Sequence, residues 1–166
     1  MIMMAATIEE VLQQERDMEL DSFSAEDAFT LGMNVLEIAG KQSRGLVVSV
    51  RRNGKLLFYK AGTNTVIDQD DCIRQKTNVV NLHSHSSLYL FLKYDGDEQA
   101  YCQVNGVSSG DYALNGGCFP IKLRNAGMIG TVAVCGLTSE EEHMLCLNAI
   151  SLLKRQQYKG EASSAK

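Results

Sequence analysis

Apolar positions along the chain switch between a helical period and a strand period, and each switch marks a predicted element. From Thr7 to Leu20, Ile8, Val11, Leu12 and Met18 fall on one side while Glu and Gln fill the other, which predicts an amphipathic helix. Phe23 and Ser24 interrupt it. Ser24 is a good N-cap, with Asp27 at the capping-box position. The helix that follows runs to Ala39, with Phe29, Met33, Val35 and Leu36 expected to face inward. Gly40 and Gly45 bracket its exit.

Gly45–Arg52 then reads as a strand, and Asn53-Gly54 is the strongest short hairpin signal available. Lys55–Ala61 returns as its partner, broken by Gly62, Thr63 and Asn64. Asp68–Leu92 reads as one long helix, its first turn crowded by Asp68, Asp70 and Asp71, where the helix dipole favours negative charge. Thr77, Val79, Val80 and the Ser84–Ser87 run are poor helix formers, so packing must hold this segment. Tyr94–Gly110 is polar and glycine-containing, a loop or lid by composition, with room for one short strand near Tyr101–Val104.

Asn115-Gly116-Gly117 opens the next unit, in which Gly117–Arg124 and Gly127–Cys135 form a strand pair around Asn125-Ala126-Gly127. Thr138 caps the last helix with Glu141 at its capping-box position, and Met144, Leu145, Leu147, Ile150 and Leu153 form its buried face. The predicted order is α-α-β-β-α-β-β-α. That is an α+β domain over residues 1–158, an antiparallel sheet of four or five strands flanked by helices. Residues 159–166, rich in Gly, Ser, Ala and Lys, read as a flexible C-terminal tail.

Composition narrows the function. The net charge is -4 and no block of like charges occurs, which argues against a nucleic-acid or anionic-membrane binder. The apolar start, MIMMAAT, is too short for a signal h-region and no basic stretch precedes it. No apolar run is long enough to span a bilayer, so a soluble cytoplasmic protein is expected. Cys72, Cys102, Cys118, Cys135 and Cys146 include no C-x-x-C pair, and reduced structural thiols are expected. Cys72 comes nearest to a reactive setting, close to a helix start, but Asp70 and Asp71 beside it disfavour a thiolate.

Four blocks, in order, carry a family resemblance: Ser24-Ala-Glu-Asp-Ala-Phe-Thr-Leu-Gly; Asn53-Gly54 with Leu57-Phe58 and Ala61-Gly62; Asp71–Lys76 with His85-Ser86-Ser87; and Tyr112-Ala-Leu-Asn-Gly-Gly-Cys-Phe-Pro-Ile with Gly130–Gly136 and Glu142-His143. Over residues 20–155 the chain resembles the haem-degrading-domain-like family, the group of GlcG and haem-binding protein S, and within it an uncharacterised fungal and bacterial branch. The resemblance implies a profilin-like fold assembled as dimers or larger rings, and members that bind or degrade haem. The chain departs from the branch at Cys72 (usually Trp), Leu82-His83 (Arg-Phe), Asn115 (His) and Glu142 (Asp).

The candidate ligand-binding set is Lys76, His85, Asn115, Gly116, Gly117 and His143. Lys76 is either an anion anchor or half of a structural salt bridge with a carboxylate on a neighbouring helix. The glycine pair lets a backbone approach a ligand closely, or simply turn. His83 and His85 lie about 200° apart on a regular helix and cannot share a metal. A haem would need one histidine as axial donor, with His83, His85 and His143 the candidates. His85-Ser86-Ser87 resembles a base and nucleophile only superficially, since no G-x-S-x-G elbow or phosphate loop occurs. No catalytic or metal-ligating residue is assigned, and the residues point away from an enzyme. The expected function is an oligomeric small-ligand-binding or scaffold protein. Haem binding or breakdown is one alternative, and an enzyme acting on a small hydroxyacid or diol is another. The site requires its members to share one concavity.

Overall fold

The structure is a computed structural model that describes residues 5–164. Residues 1–4 of the apolar start and the last two of the predicted tail lie outside the described residues.

Helices α1 (Ile8–Asp17) and α2 (Ala25–Ala39) lead through a 3-10 turn, Gly40–Gly45, into strands β1 (Val47–Arg52) and β2 (Lys55–Ala61). Three helices follow: α3 (Ile67–His83), α4 (Ser87–Lys93) and α5 (Glu98–Asn105). Strands β3 (Cys118–Leu123) and β4 (Gly127–Cys135) and helix α6 (Ser139–Ser164) complete the fold. The two hairpins join edge to edge through antiparallel β1–β4 pairing, giving the strand order β2-β1-β4-β3. The α+β, profilin-like architecture expected from the sequence is the one found, with four strands.

Side chains alternate across the sheet with period two. Val48, Val50, Phe119, Ile121, Val132 and Val134 point to one face, where they form the main core with α2 and α6. Val47, Cys118 and Ala133 point to the other, against Ile73 and Val80 of α3. With both faces covered, the strands read as near-continuous apolar runs.

Helix α2 turns inward only part of the face expected: Val35 is buried and Leu36 packs against the core, but Phe29 and Met33 do not. Ala28, Leu31, Gly32 and Val35 are buried, while Phe29 and Met33 are 59% and 45% exposed. A Cβ on Gly32 would lie 2.3 Å from the Phe58 ring. The small residues thus form the contact because Phe58 of β2 needs their space. The large apolar residues form a stripe about 100° away on the outside.

The long helix expected over Asp68–Leu92 is divided. Ser84 adopts the left-handed conformation (φ 57°) and ends α3, and the Ser86 hydroxyl accepts from the Tyr89 N–H (3.2 Å) to start α4. The Tyr94–Gly110 segment is neither loop nor strand at its centre. It contains α5, whose Tyr101 and Cys102 pack with Val79, Leu90 and Leu114. Apolar residues spaced for one helical face were outweighed in composition by their polar neighbours. Residues 159–164, read as a tail, continue α6 as exposed helix. The capping boxes at Ser24–Asp27 and Thr138–Glu141 form as expected.

Candidate functional site

The six residues singled out by sequence divide into two groups. Lys76, Gly116 and Gly117 meet in the interior between α3, the entry to β3 and the start of α6. Lys76 has no exposed surface, and its ammonium donates to Glu142 Oε2 (2.7 Å), to the Gly116 carbonyl (3.2 Å) and to the Val134 carbonyl. The other Glu142 oxygen accepts from the Gly136 and Leu137 N–H groups at 2.8 and 3.1 Å. Burial depresses the Lys76 pKa, but the adjacent Glu142 carboxylate outweighs it and the net shift is upward.

The glycines make room for this pair. Gly117 has φ 108°, and a Cβ there would lie 2.4 Å from Glu142 Oε2 and 2.8 Å from Lys76 Nζ. A Cβ on Gly116 would lie 2.2 Å from the Ser139 carbonyl oxygen, and the Gly116 N–H donates to the Ser139 hydroxyl. With all three ammonium hydrogens engaged, Lys76 has none left for a ligand anion. Asn115, next to the glycines, is exposed.

His85 and His143 form the second group, and both are tied to α1. The Glu15 carboxylate is buried although it sits on the face read as polar. One oxygen accepts from the Ser86 N–H (2.8 Å); the other accepts from His85 Nδ1 (2.7 Å) and more weakly from Lys122 Nζ (3.4 Å). A carboxylate accepts only, so His85 Nδ1 carries the proton of that bond, and in the neutral tautomer this selects, Nε2 holds the lone pair. The ring lies 4.5 Å from that of Tyr89, and the side chain is 36% exposed. Nε2 makes no hydrogen bond among the described residues.

His143 is 1% exposed, and its Nε2 pairs with the Gln14 amide oxygen at 2.7 Å. Its Nδ1 is buried without a partner among the described residues, and burial depresses the pKa to about 4, so the ring is neutral. His83, outside the candidate set, pairs with the Tyr101 hydroxyl at 2.9 Å.

The expectation of one shared concavity is corrected. Lys76 and the glycine pair are in the interior, whereas His143 lies in the wall of a 530 Å³ surface space beside Leu88 and Met144. Sequence spacing could not reveal this division, because α1 is placed against α4 and α6 only by tertiary packing. For the same reason Gln14 and Glu15 carried no signal beyond a polar helix face. Ser86 and Ser87 have structural partners: Ser86 caps α4, and the Ser87 hydroxyl accepts from the Cys118 N–H at 3.0 Å. No group of three or more His, Cys, Asp or Glu side chains suited to a metal ion occurs among the described residues. No helix among them is long and apolar enough to cross a membrane.

Comparison with known proteins agrees with this fold. A UPF0303 protein of Azotobacter vinelandii is 35% identical over 144 residues, covering 87% of each chain. The crystal structure of the Ybr137w protein superposes with a TM-score of 0.82 at 23% identity, covering 90% of this chain and 88% of that one. The structure of a PduOC:heme complex superposes with a TM-score of 0.59 at 16% identity, covering 78% of this chain and 94% of the other. The family model for the haem-degrading protein HbpS-like group matches residues 23–151. The chain therefore belongs to the HbpS-like haem-degrading protein family.

Proposed function

We propose that this protein is a homo-oligomeric, non-catalytic small-ligand-binding protein, and that haem is the ligand its geometry suits best. His85 carries the reading. Its Nδ1 is held by a buried carboxylate, which fixes the ring and leaves Nε2 as an outward-facing donor. Carboxylate–histidine pairs of this kind orient metal-ligating imidazoles. A bound haem would supply the iron for Nε2, and the neighbouring Tyr89 ring offers an aromatic surface beside it. The solved PduOC:heme complex has the same fold, which supports the choice of ligand.

Within one chain His85 lies on an open surface, its side chain 36% exposed. A second copy would supply the missing wall. The exposed apolar stripe on α2 favours self-association, since apolar surface left open within one chain is stabilised by burial between chains.

A haemin titration followed at the Soret band tests the ligand. Saturable binding is expected, with a band that shifts in His85→Ala and not in His83→Ala. Unsaturable binding that ignores His85 rejects the haem assignment.

A further inference from the structure

Helix α3 passes over the end of β4, and the contacts fix which side chains meet there. Gln69, Cys72, Ile73 and Lys76 share one face of α3, spaced by three or four residues. Gln69 Nε2 donates to the Cys135 carbonyl (3.1 Å), and Lys76 Nζ donates to the Val134 carbonyl. Cys72 lies between those two anchors and is therefore held over residues 134 and 135. From the strand side, Val132 and Val134 point into the main core, so Ala133 and Cys135 point toward α3. The Cys135 side chain packs there against the cluster that holds Ile73 and Val80 of α3, beside Cys72, near enough for each thiol to shift the other's pKa. Both are only partly buried, whereas Cys118 and Cys146 are sealed in the interior.

The charge around the pair favours a thiolate at Cys72. Its pKa is lowered to about 7, chiefly by the hydrogen bond from Cys135 and then by Lys76 one turn along, against the opposing effects of burial, Glu142 and Asp71. The Cys135 thiol is pushed upward, because it is the donor to that thiolate and is partly buried. Asp71 does disfavour a Cys72 thiolate, as expected from the sequence, but Cys135, distant in the chain, outweighs it.

We propose that Cys72 and Cys135 form a peroxide-responsive dithiol site that closes to a disulfide joining α3 to β4. The Cys72 thiolate attacks one oxygen of hydrogen peroxide, the O–O bond breaks, and hydroxide leaves, taking a proton to become water. Cys72 is then a sulfenic acid. The Cys135 sulfur attacks the Cys72 sulfur, the S–O bond breaks, and a second water leaves with the Cys135 proton. Two thiols are oxidised by two electrons, and one peroxide is reduced to two waters. A thiol reductant reverses the bond.

The test treats the full folded chain with hydrogen peroxide, then alkylates it in denaturant and maps its peptides without reduction. Of five cysteines, three are expected to remain alkylated. The other two should appear as one Cys72–Cys135 cross-linked peptide, lighter by two hydrogens and released by dithiothreitol. In Cys135→Ser, Cys72 is expected to stop at a sulfenic acid that dimedone captures. The peptide map of the unsubstituted protein decides the matter even if that variant does not fold. A disulfide that includes Cys102, Cys118 or Cys146, a Cys72 oxidised to sulfinic acid beside a free Cys135, or no loss of thiols would each overturn the proposal.

Discussion

Lys76 of α3 and Glu142 of α6 form an ion pair in which each side chain is almost wholly removed from water, with side-chain exposures of 0% and 5%. All three ammonium hydrogens and both carboxylate oxygens have partners. Removing one partner leaves the other charge buried and alone, which costs about 3–5 kcal/mol. Lys76→Met is therefore expected to destabilise the protein by roughly that amount in urea unfolding. Adding Glu142→Gln removes the orphan charge and keeps an oxygen for the Gly136 and Leu137 N–H groups. The double variant should be more stable than the single one; if it is not, the pair does not contribute in this way. Because the Lys76 pKa is raised on folding, this stabilisation is complete below the ordinary lysine value and fades as pH rises through the folded one.

Gly117 and Gly127 separate backbone freedom from crowding. Both have positive φ, 108° and 71°. A Cβ on Gly127 meets nothing within 4 Å, whereas one on Gly117 strikes both members of the buried pair. Gly127→Ala is expected to cost about 1 kcal/mol, the backbone penalty alone. Gly117→Ala should cost at least about 3 kcal/mol, since overpacking adds to that penalty. Chemical denaturation of the two variants side by side gives the comparison.

His143 makes stability depend on pH in the mildly acidic range. Its folded pKa of about 4 lies below the unfolded value of about 6.5. The unfolded chain therefore binds a proton that the folded chain refuses, and stability falls as pH drops from about 6.5 toward 4. The full effect is on the order of 3 kcal/mol. His143→Gln should flatten this dependence between about pH 7 and 5, where most carboxylates remain ionised. Urea midpoints of both proteins across that range provide the check, and parallel curves would exclude His143 as the source.

Glu15 acts on any ligand through His85. Glu15→Gln can still accept from Nδ1 but no longer strengthens the basicity of Nε2. Haemin affinity is expected to fall about 10- to 100-fold, the usual effect of losing such a carboxylate. Equal affinity for the two proteins would separate Glu15 from ligand binding and leave it a purely structural capping group for α4.

Phe29 and Met33 stand where a subunit contact is expected. Phe29→Asp combined with Met33→Asp places charge on an exposed apolar stripe without touching the core face of α2. Light scattering after gel filtration should show a smaller particle for the variant than for the unsubstituted protein. Stability of the separated chains should fall by no more than about 1.5 kcal/mol, the contribution of the edge-to-face contact between Phe29 and Phe58 that the substitution removes. A parent protein that is monomeric at all concentrations would remove this interface.

Local chemistry determined much of the fold. Asn53-Gly54 and Asn125-Ala126-Gly127 specify hairpins whatever lies around them, and Ser24–Asp27 and Thr138–Glu141 satisfy helix ends with neighbours three residues away. These signals are carried by nearby residues, so the sequence alone was enough to place both strand pairs and several helix starts. The inward face of α2 was decided elsewhere. Phe58, distant in the chain, selects Gly32 by its bulk, and no periodicity of α2 records that.

The candidate site followed the same division. The presence of Lys76, His85, His143 and the glycine pair was legible, because each stands in a block that carries the family resemblance. Their grouping was not. Lys76 and the glycines serve a buried ion pair, while the histidines depend on Gln14 and Glu15 of a helix far away in sequence. The meeting of Cys72 with Cys135 has the same origin. Hydrogen bonds and charge effects act over a few ångströms of space, and only the packing of α1, α3 and α6 around the sheet determines which residues come within that range.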